Sequence, residues 1–221
     1  MAKTKEESSK GKLEQKFATF VKSNQVAIIV VVAAIVLALV VLGIALRISN
    51  NQATARQVEI DALQRDYEQW KGAKDEDNAE LKAKLLALSK RGGKSYPVVK
   101  ALYLQGLLAY EEGAYEEANG SFLAAAERNK ESYLAPLALF NAAVCSEQLG
   151  DNLKAIELYQ RIYDDYGSDA VESPRALFSL ARLYENDGEL DLAKAIFQQL
   201  SDEFPASEFG RLAKTKLVII Q

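Results

Sequence analysis

The residues that most often carry out acid–base, metal or nucleophilic chemistry are scarce in this chain of 221 residues. It contains no histidine, the commonest metal ligand and general base, and its one cysteine, Cys145, cannot form an intramolecular disulfide. Cys145 ends the apolar run LFNAAVC, which favours an inert buried thiol over a reactive one. No nucleotide motif or convergent acidic cluster is present either. The sequence therefore predicts a protein that is not an enzyme, with no catalytic residues, no metal, no cofactor and no small-molecule substrate.

The side chains that most clearly suggest a function are aromatic, and the function that they suggest is binding. Tyr103, Phe140 and Phe178 recur after 37 and 38 residues. An aromatic row on an exposed groove would supply a large contact area at low entropic cost, as binding hot spots do. The alternative is that these rings pack against neighbouring helices, and the sequence does not decide between the two.

A second set of residues with the same spacing must hold pairs of helices together. Gly113, Gly150 and Gly188 are also 37 and 38 residues apart. Glycine at a helical turn adopts backbone angles that other residues resist. Two antiparallel helices approach closely only where neither presents a large side chain, and an aromatic is expected to fill the space between one hairpin and the next. Seven residues before each glycine stands a small residue: Gly106, Ala143 and Ala181. Five residues after it stands an alanine: Ala118, Ala155 and Ala193. Nine residues after it stands an aromatic: Phe122, Tyr159 and Phe197.

This pattern resembles the tetratricopeptide repeat (TPR) family, whose signature pairs a small residue in a first helix with glycine at the turn, then alanine and an aromatic in a second helix. The copy ALFSLARLYENDGELDLAKAIFQQLSDEFP matches most fully, including Tyr184 and Pro205. The repeats are a few residues longer than the roughly 34 residues of the common repeat. The resemblance covers about residues 97–205.

The predicted fold is all-α, with a single N-terminal transmembrane helix followed by a TPR-type right-handed α-solenoid of helical hairpins. The three repeats are expected at 97–130, 132–168 and 173–204, within 97–205. The other expected segments are a disordered cytoplasmic tail at 1–25, the transmembrane helix at 26–46, a degenerate first hairpin at 54–92, and a capping helix at 205–221 with Pro205 in its first turn.

The transmembrane prediction rests on residues 26–46, which hold 21 residues without a charge. At about 1.5 Å per residue this helix would reach roughly 30 Å, the thickness of the bilayer hydrocarbon. A cleaved signal peptide is the alternative, but its apolar region is usually only about 7–15 residues long, so an uncleaved anchor is favoured. Six lysines precede the span and three arginines follow it closely, which predicts a cytoplasmic N-terminus.

If the TPR resemblance carries over, the first helix of each hairpin lines a concave face that binds extended peptides or helices. The carboxylate-clamp TPR domains grip acidic tails with basic and amide residues, whereas this chain has Tyr103, Leu107 and Val144 at the corresponding positions. A groove for hydrophobic or non-native segments is therefore expected. The predicted protein-binding groove consists of Lys100, Tyr103, Leu107, Tyr110, Phe140, Val144, Phe178 and Arg182, with Leu137 and Arg175 on the same face.

The whole arrangement is similar to the bacterial inner-membrane TPR proteins that sit beside the Sec translocon. That resemblance implies a non-enzymatic adaptor, tethered to the inner membrane by one span with its repeats in the periplasm, in protein export, chaperone hand-over or envelope biogenesis. The implied partners are the Sec translocon, periplasmic chaperones and exported clients. The alternative is a structural scaffold subunit of a fixed envelope complex for cell division or outer-membrane assembly. The net charge of −4 argues against nucleic acid as a partner.

Overall fold

A computed structural model describes residues 22–73 and 77–220, together with Thr19. Most of the tail predicted at 1–25 lies outside these residues. Within them the chain forms nine α-helices and one 3₁₀ turn, Gly167–Asp169. The helices are α1 Gln25–Gly72, α2 Ala79–Ser89, α3 Tyr96–Glu111, α4 Tyr115–Arg128, α5 Leu134–Gln148, α6 Asn152–Tyr166, α7 Ser173–Asn186, α8 Leu190–Glu203 and α9 Glu208–Ile219.

The chain divides into two compact units, residues 1–55 and 56–221. The first unit contains the apolar part of α1, where the large aliphatic side chains are exposed, from 52% for Val40 to 77% for Val26. By length and composition, α1 is the one helix in the described ranges that could cross a membrane, with a mean hydropathy of 3.4 in its most apolar window.

Helix α1 differs from the expectation of a transmembrane helix at 26–46 that is separate from the hairpin predicted at 54–92. The structure has a single helix from Gln25 to Gly72. Residues 44–71 contain neither proline nor glycine, the two residue types that most strongly interrupt a helix, so the helix can continue through the segment between the two predicted elements.

In the second unit, α3 to α8 form three helical hairpins, each ended at its turn by one of the repeat glycines. The φ angles of Gly113, Gly150 and Gly188 are +76°, +76° and +83°, in the left-handed region that favours glycine. The amide that follows each glycine donates back to a carbonyl near the end of the first helix; the Ala114 amide, for example, donates to the Ala109 carbonyl at 2.9 Å. This arrangement satisfies carbonyls that the helix end would leave unpaired.

Inside each hairpin, the aromatic of the second helix packs on an aromatic of the first. The ring centroids of Tyr103 and Phe122 are 5.4 Å apart, and the equivalent pairs of the next two hairpins lie at 5.2 and 5.7 Å. A Cβ atom on Gly106 would lie 2.6 Å from the Phe122 ring, which explains the small residue at that position. These contacts correct the expectation that the second-helix aromatic serves mainly to fill the space between hairpins.

The part of α1 in the second unit packs with α2 against α3. Ile60, Leu63 and Tyr67 of α1 are buried in one cluster with Leu85 and Leu88 of α2, and the cluster extends to apolar side chains of α3. Two ion pairs add to this packing, one from the turn after α2 to α1 and one from α1 to α3. Arg91 pairs with Glu59 at 2.5 Å, and Lys71 pairs with Glu111 at 2.7 Å.

The last helix starts later than predicted. Pro205 lies in the turn before α9, which begins at Glu208 and ends at Ile219. The Ser207 side chain takes the capping role, because its hydroxyl accepts from the Gly210 amide at 2.9 Å. The ring of Phe209 then covers Phe178, with centroids 5.7 Å apart. Helix α9 therefore buries part of the apolar face that the last hairpin would otherwise expose.

Candidate functional site

The first helices of the three hairpins, α3, α5 and α7, enclose a cavity of about 230 Å³. We name it the groove cavity. It is lined by side chains from all three of these helices, and Phe122 of α4 contributes to its wall. The remaining lining residues are Leu107, Tyr110, Glu111, Asn141, Val144 and Arg175.

Three residues of the predicted groove meet in this cavity. Leu107, Tyr110 and Val144 are half-buried, each packed against the main core with part of its apolar surface left open. The Tyr110 ring is held in place by Tyr115, with ring centroids 5.4 Å apart. A fixed aliphatic and aromatic surface of this kind suits an apolar side chain of a partner, because little side-chain entropy is lost on binding.

Phe140 was predicted to line the groove, but it is not among the residues that line the cavity. Its ring is 2% exposed and packs on Tyr159. The guanidinium of Arg175, one repeat further along, lies over the ring at 4.0 Å from its centroid, a cation–π contact. Arg175 thus adds a cation to the lining of the groove cavity, which also contains the carboxylate of Glu111, paired with Lys71 at 2.7 Å.

The other two members of the aromatic row also pack within the protein. The Tyr103 ring lies on Phe122, and its hydroxyl accepts a hydrogen bond from the Asn141 amide at 2.8 Å. Burial raises the pKa of Tyr103 to about 12, so the phenol stays protonated at neutral pH. Phe178 packs on both Phe197 and Phe209. The sequence left open whether the three rings form an exposed binding row or pack against neighbouring helices. In the structure all three rings pack against other aromatic side chains.

Arg182 is engaged in an ion pair. Its Nη2 atom lies 2.5 Å from Oε2 of Glu147, and the Tyr159 hydroxyl donates to Oε1 of the same carboxylate at 2.7 Å. Burial and this hydrogen bond to Glu147 raise the pKa of Tyr159. Because its charge is already neutralised, Arg182 is poorly placed to grip a partner's carboxylate.

Lys100 also lies apart from the groove cavity. Its ammonium group is 5.3 Å from the centroid of the Tyr96 ring. Three residues line the cavity without having been predicted there: Glu111, Phe122 and Asn141. The positions equivalent to Asn141 in the other repeats hold Leu104 and Ser179, so comparing repeats offers no signal for it.

Cys145 is buried, as its apolar surroundings predicted. Burial raises the pKa of its thiol to about 12. At neutral pH the nucleophilic thiolate is therefore essentially absent, which confirms the expectation of an inert thiol.

Comparison with known proteins identifies the repeats. Two tetratricopeptide repeat family models match residues 103–170 and 175–207. A TPR repeat-containing protein of Treponema pallidum is 33% identical over 130 residues, which cover 59% of this chain and 53% of the relative. The photosystem I assembly protein Ycf3 of Cyanophora paradoxa is 30% identical over 128 residues, which cover 55% of this chain and 69% of that protein. This chain thus spans about half the length of the Treponema relative.

The fold comparison agrees. Crystallised kinesin light chain TPR-like repeats from Podosopora anserina superpose with a TM-score of 0.56 at 11% identity, over 76% of this chain and 86% of that one. The chain therefore belongs to the tetratricopeptide repeat family, and its hairpins form an all-α, TPR-like helical solenoid. This is the fold of protein–protein interaction adaptors.

Proposed function

We propose that this protein is a membrane-tethered adaptor that binds apolar segments of other proteins in its groove cavity. The observation that carries the proposal is the cavity itself. Leu107, Tyr110 and Val144 leave apolar surface open there, although each is anchored in the core. Arg175 adds a cation that can donate hydrogen bonds to backbone carbonyls or to a carboxylate of a bound segment. The cavity suits one apolar side chain with polar backbone beside it.

The tether in this proposal is the apolar part of α1. The large aliphatic side chains of this segment are exposed, and a lipid bilayer would cover them. The lysine bias before the span supports the proposal that the repeats lie outside the cytoplasm, in the periplasm of a bacterial inner membrane. Tethering raises the effective concentration near membrane partners, so a modest affinity of the groove is sufficient.

The biological role we propose is protein export, chaperone hand-over or envelope biogenesis. Its partners would be the Sec translocon, periplasmic chaperones and exported clients. A binder of apolar segments beside a translocon would meet such segments before they fold, when their hydrophobic side chains are still exposed.

The first test is a matched pair of leucine substitutions. Leu107→Gln places an amide in the groove cavity, whereas Leu153→Gln changes the same residue type at a surface position that is 80% exposed on α6. Full-length protein in detergent is photo-crosslinked to client peptides and co-purified with its partners. We expect Leu107→Gln to lower client recovery by about tenfold, and Leu153→Gln to leave it unchanged. Equal recovery with both variants, at unchanged helicity, would rule out the groove cavity as the binding site.

A scaffold subunit is the second candidate, and the name of the Ycf3 relative, an assembly protein, favours it. A scaffold would hold one partner at fixed stoichiometry through surfaces outside the groove cavity. Leu149 and Leu153, both exposed near the turn of the second hairpin, are such a surface. If Leu153→Gln releases a stoichiometric partner while Leu107→Gln does not, the scaffold function replaces the adaptor.

A further inference from the structure

A second cavity lies between the two loops that join successive hairpins, and it shares no lining residue with the groove cavity. We name it the loop pocket. Its volume is about 430 Å³, within the range of about 300–1,000 Å³ found for ligand sites. Its lining includes Tyr133, Pro136 and Leu137 from the start of α5 and the residue before it, and Tyr166 and Val171 from the end of α6 and the loop that follows. These side chains give the loop pocket an apolar wall.

Two side chains of this apolar wall are also largely exposed to solvent. Val171 is 88% exposed and Tyr133 is 68% exposed. Tyr133 is nevertheless held in place, because its ring stacks on Tyr96 with centroids 5.8 Å apart and its hydroxyl donates to the Tyr96 hydroxyl at 2.9 Å. Exposed, pre-positioned apolar groups beside a cavity mark an interaction site for a ligand larger than the cavity.

The charges around the loop pocket are unbalanced. Glu131, Asp169 and Glu172 line it, and none of the three forms an ion pair with any residue in the described ranges. The one cation of the lining, Lys130, is paired with Glu127 at 3.1 Å. The surplus of negative charge attracts a cationic partner and repels nucleic acid and anionic lipid headgroups.

We propose that the loop pocket binds a segment of a partner protein in which a large apolar side chain is flanked by lysine or arginine. The apolar side chain enters the cavity between Leu137 and Tyr166, and Tyr133 and Val171 contact the adjoining residues. The flanking cations pair with the carboxylates of Glu131, Asp169 and Glu172. This second site goes beyond the adaptor function, since it needs neither the groove cavity nor a membrane.

The test uses full-length protein in detergent and a short fluorescent peptide with a central phenylalanine flanked by lysines, with binding followed by fluorescence anisotropy. Val171→Ser removes apolar contact at an exposed position, and Val218→Ser, at a position 72% exposed on α9, is the matched control. We expect Val171→Ser to weaken binding about fivefold and Val218→Ser to have no effect. Replacing the phenylalanine by alanine should abolish binding. Equal affinities of the two variants would overturn the proposal.

The charge argument is tested separately. A peptide with glutamates in place of the lysines should not bind, and the combined variant Glu131→Gln, Asp169→Asn, Glu172→Gln should remove both the preference for lysine and the salt dependence of binding. Equal binding of the two peptides to the unmodified protein would overturn the proposal. Loss of peptide binding with Leu107→Gln and not with Val171→Ser would locate the peptide in the groove cavity and overturn this proposal, so failure of the adaptor proposal and failure of this one are distinguishable.

The alternative to peptide binding is that the loop pocket faces the membrane and contacts lipid. Val171→Cys can carry a polarity-sensitive bimane, because Cys145 is buried and stays unlabelled. We expect the bimane emission to shift to the blue when the lysine-flanked peptide is added. A shift on reconstitution into anionic nanodiscs, with none on addition of the peptide, would show that the pocket faces lipid and would overturn the proposal.

Discussion

At the scale of single residues, packing inside each hairpin depends on one small residue facing one aromatic. Gly106 lies against the Phe122 ring, and Tyr103 of the same helix also packs on that ring. Phe122 is buried, so it cannot move aside without disturbing the core. The same three positions recur in all three hairpins, and their role is structural in each. The binding residues that we propose, such as Leu107 and Val144, therefore lie at other positions of the repeat.

Gly106→Ala should destabilise the protein although alanine is the better helix former. The added Cβ would lie 2.6 Å from the Phe122 ring. Overpacking of this kind costs about 1–3 kcal/mol, which exceeds the gain in helix propensity of about 1 kcal/mol. Urea unfolding of the full-length protein in detergent, followed by circular dichroism, measures the change.

Gly120→Ala is the control, because Gly120 also lies in a helix but a Cβ there meets nothing within 4 Å. This substitution should stabilise the protein by about 0.5–1 kcal/mol. If both alanine variants were stabilising, the close approach of Gly106 and Phe122 would not explain the small residue at this repeat position.

At the scale of helices, the two ends of the repeat stack are closed in different ways. At the N-terminal end, α1 and α2 cover α3 with a cluster of large side chains that includes Tyr67 and Trp70. At the C-terminal end a single helix, α9, covers the last hairpin through Phe209. In a stack stabilised by contacts between neighbours, a terminal helix opens most easily.

Ser207→Ala should therefore loosen α9 without unfolding the repeats. The substitution removes the cap to the Gly210 amide and costs about 1 kcal/mol. Amide hydrogen exchange should speed up about fivefold in α9 while the amides of α4 to α6 keep their protection. Ser168→Ala, at an exposed serine of the 3₁₀ turn, is the matched control. Faster exchange throughout all helices would mean that α9 belongs to one cooperative unit with the repeats.

At the scale of the whole molecule, the proposed function depends on which side of a membrane the repeats occupy. Cysteine labelling can answer this directly, because Cys145 is buried and burial raises the pKa of its thiol to about 12. The unmodified protein should not react with an impermeant maleimide until it is denatured. It therefore serves as its own background control.

Added cysteines should then report the topology. In bacterial spheroplasts we expect Glu116→Cys, at an exposed position of α4, to be labelled by the impermeant maleimide. Ser8→Cys, before the apolar segment, should be labelled only after the membrane is permeabilised. The reverse pattern would place the repeats in the cytoplasm, and release of the protein by alkaline carbonate would exclude a membrane span altogether.

The sequence by itself determined the repeat and the hairpins, because their signals are local. The turn at Gly150 needs a residue that adopts a positive φ angle, and the approach of α3 to α4 needs a small residue at position 106. Both requirements arise within one hairpin, so the residues that meet them recur at a fixed spacing in the sequence. The tertiary structure decided which side chains remain open to a partner. Phe140 is covered by Arg175 from the next repeat, and Phe178 by Phe209 from α9. Exposure depends on residues distant in the chain, and no spacing in the sequence records which of them cover a given ring.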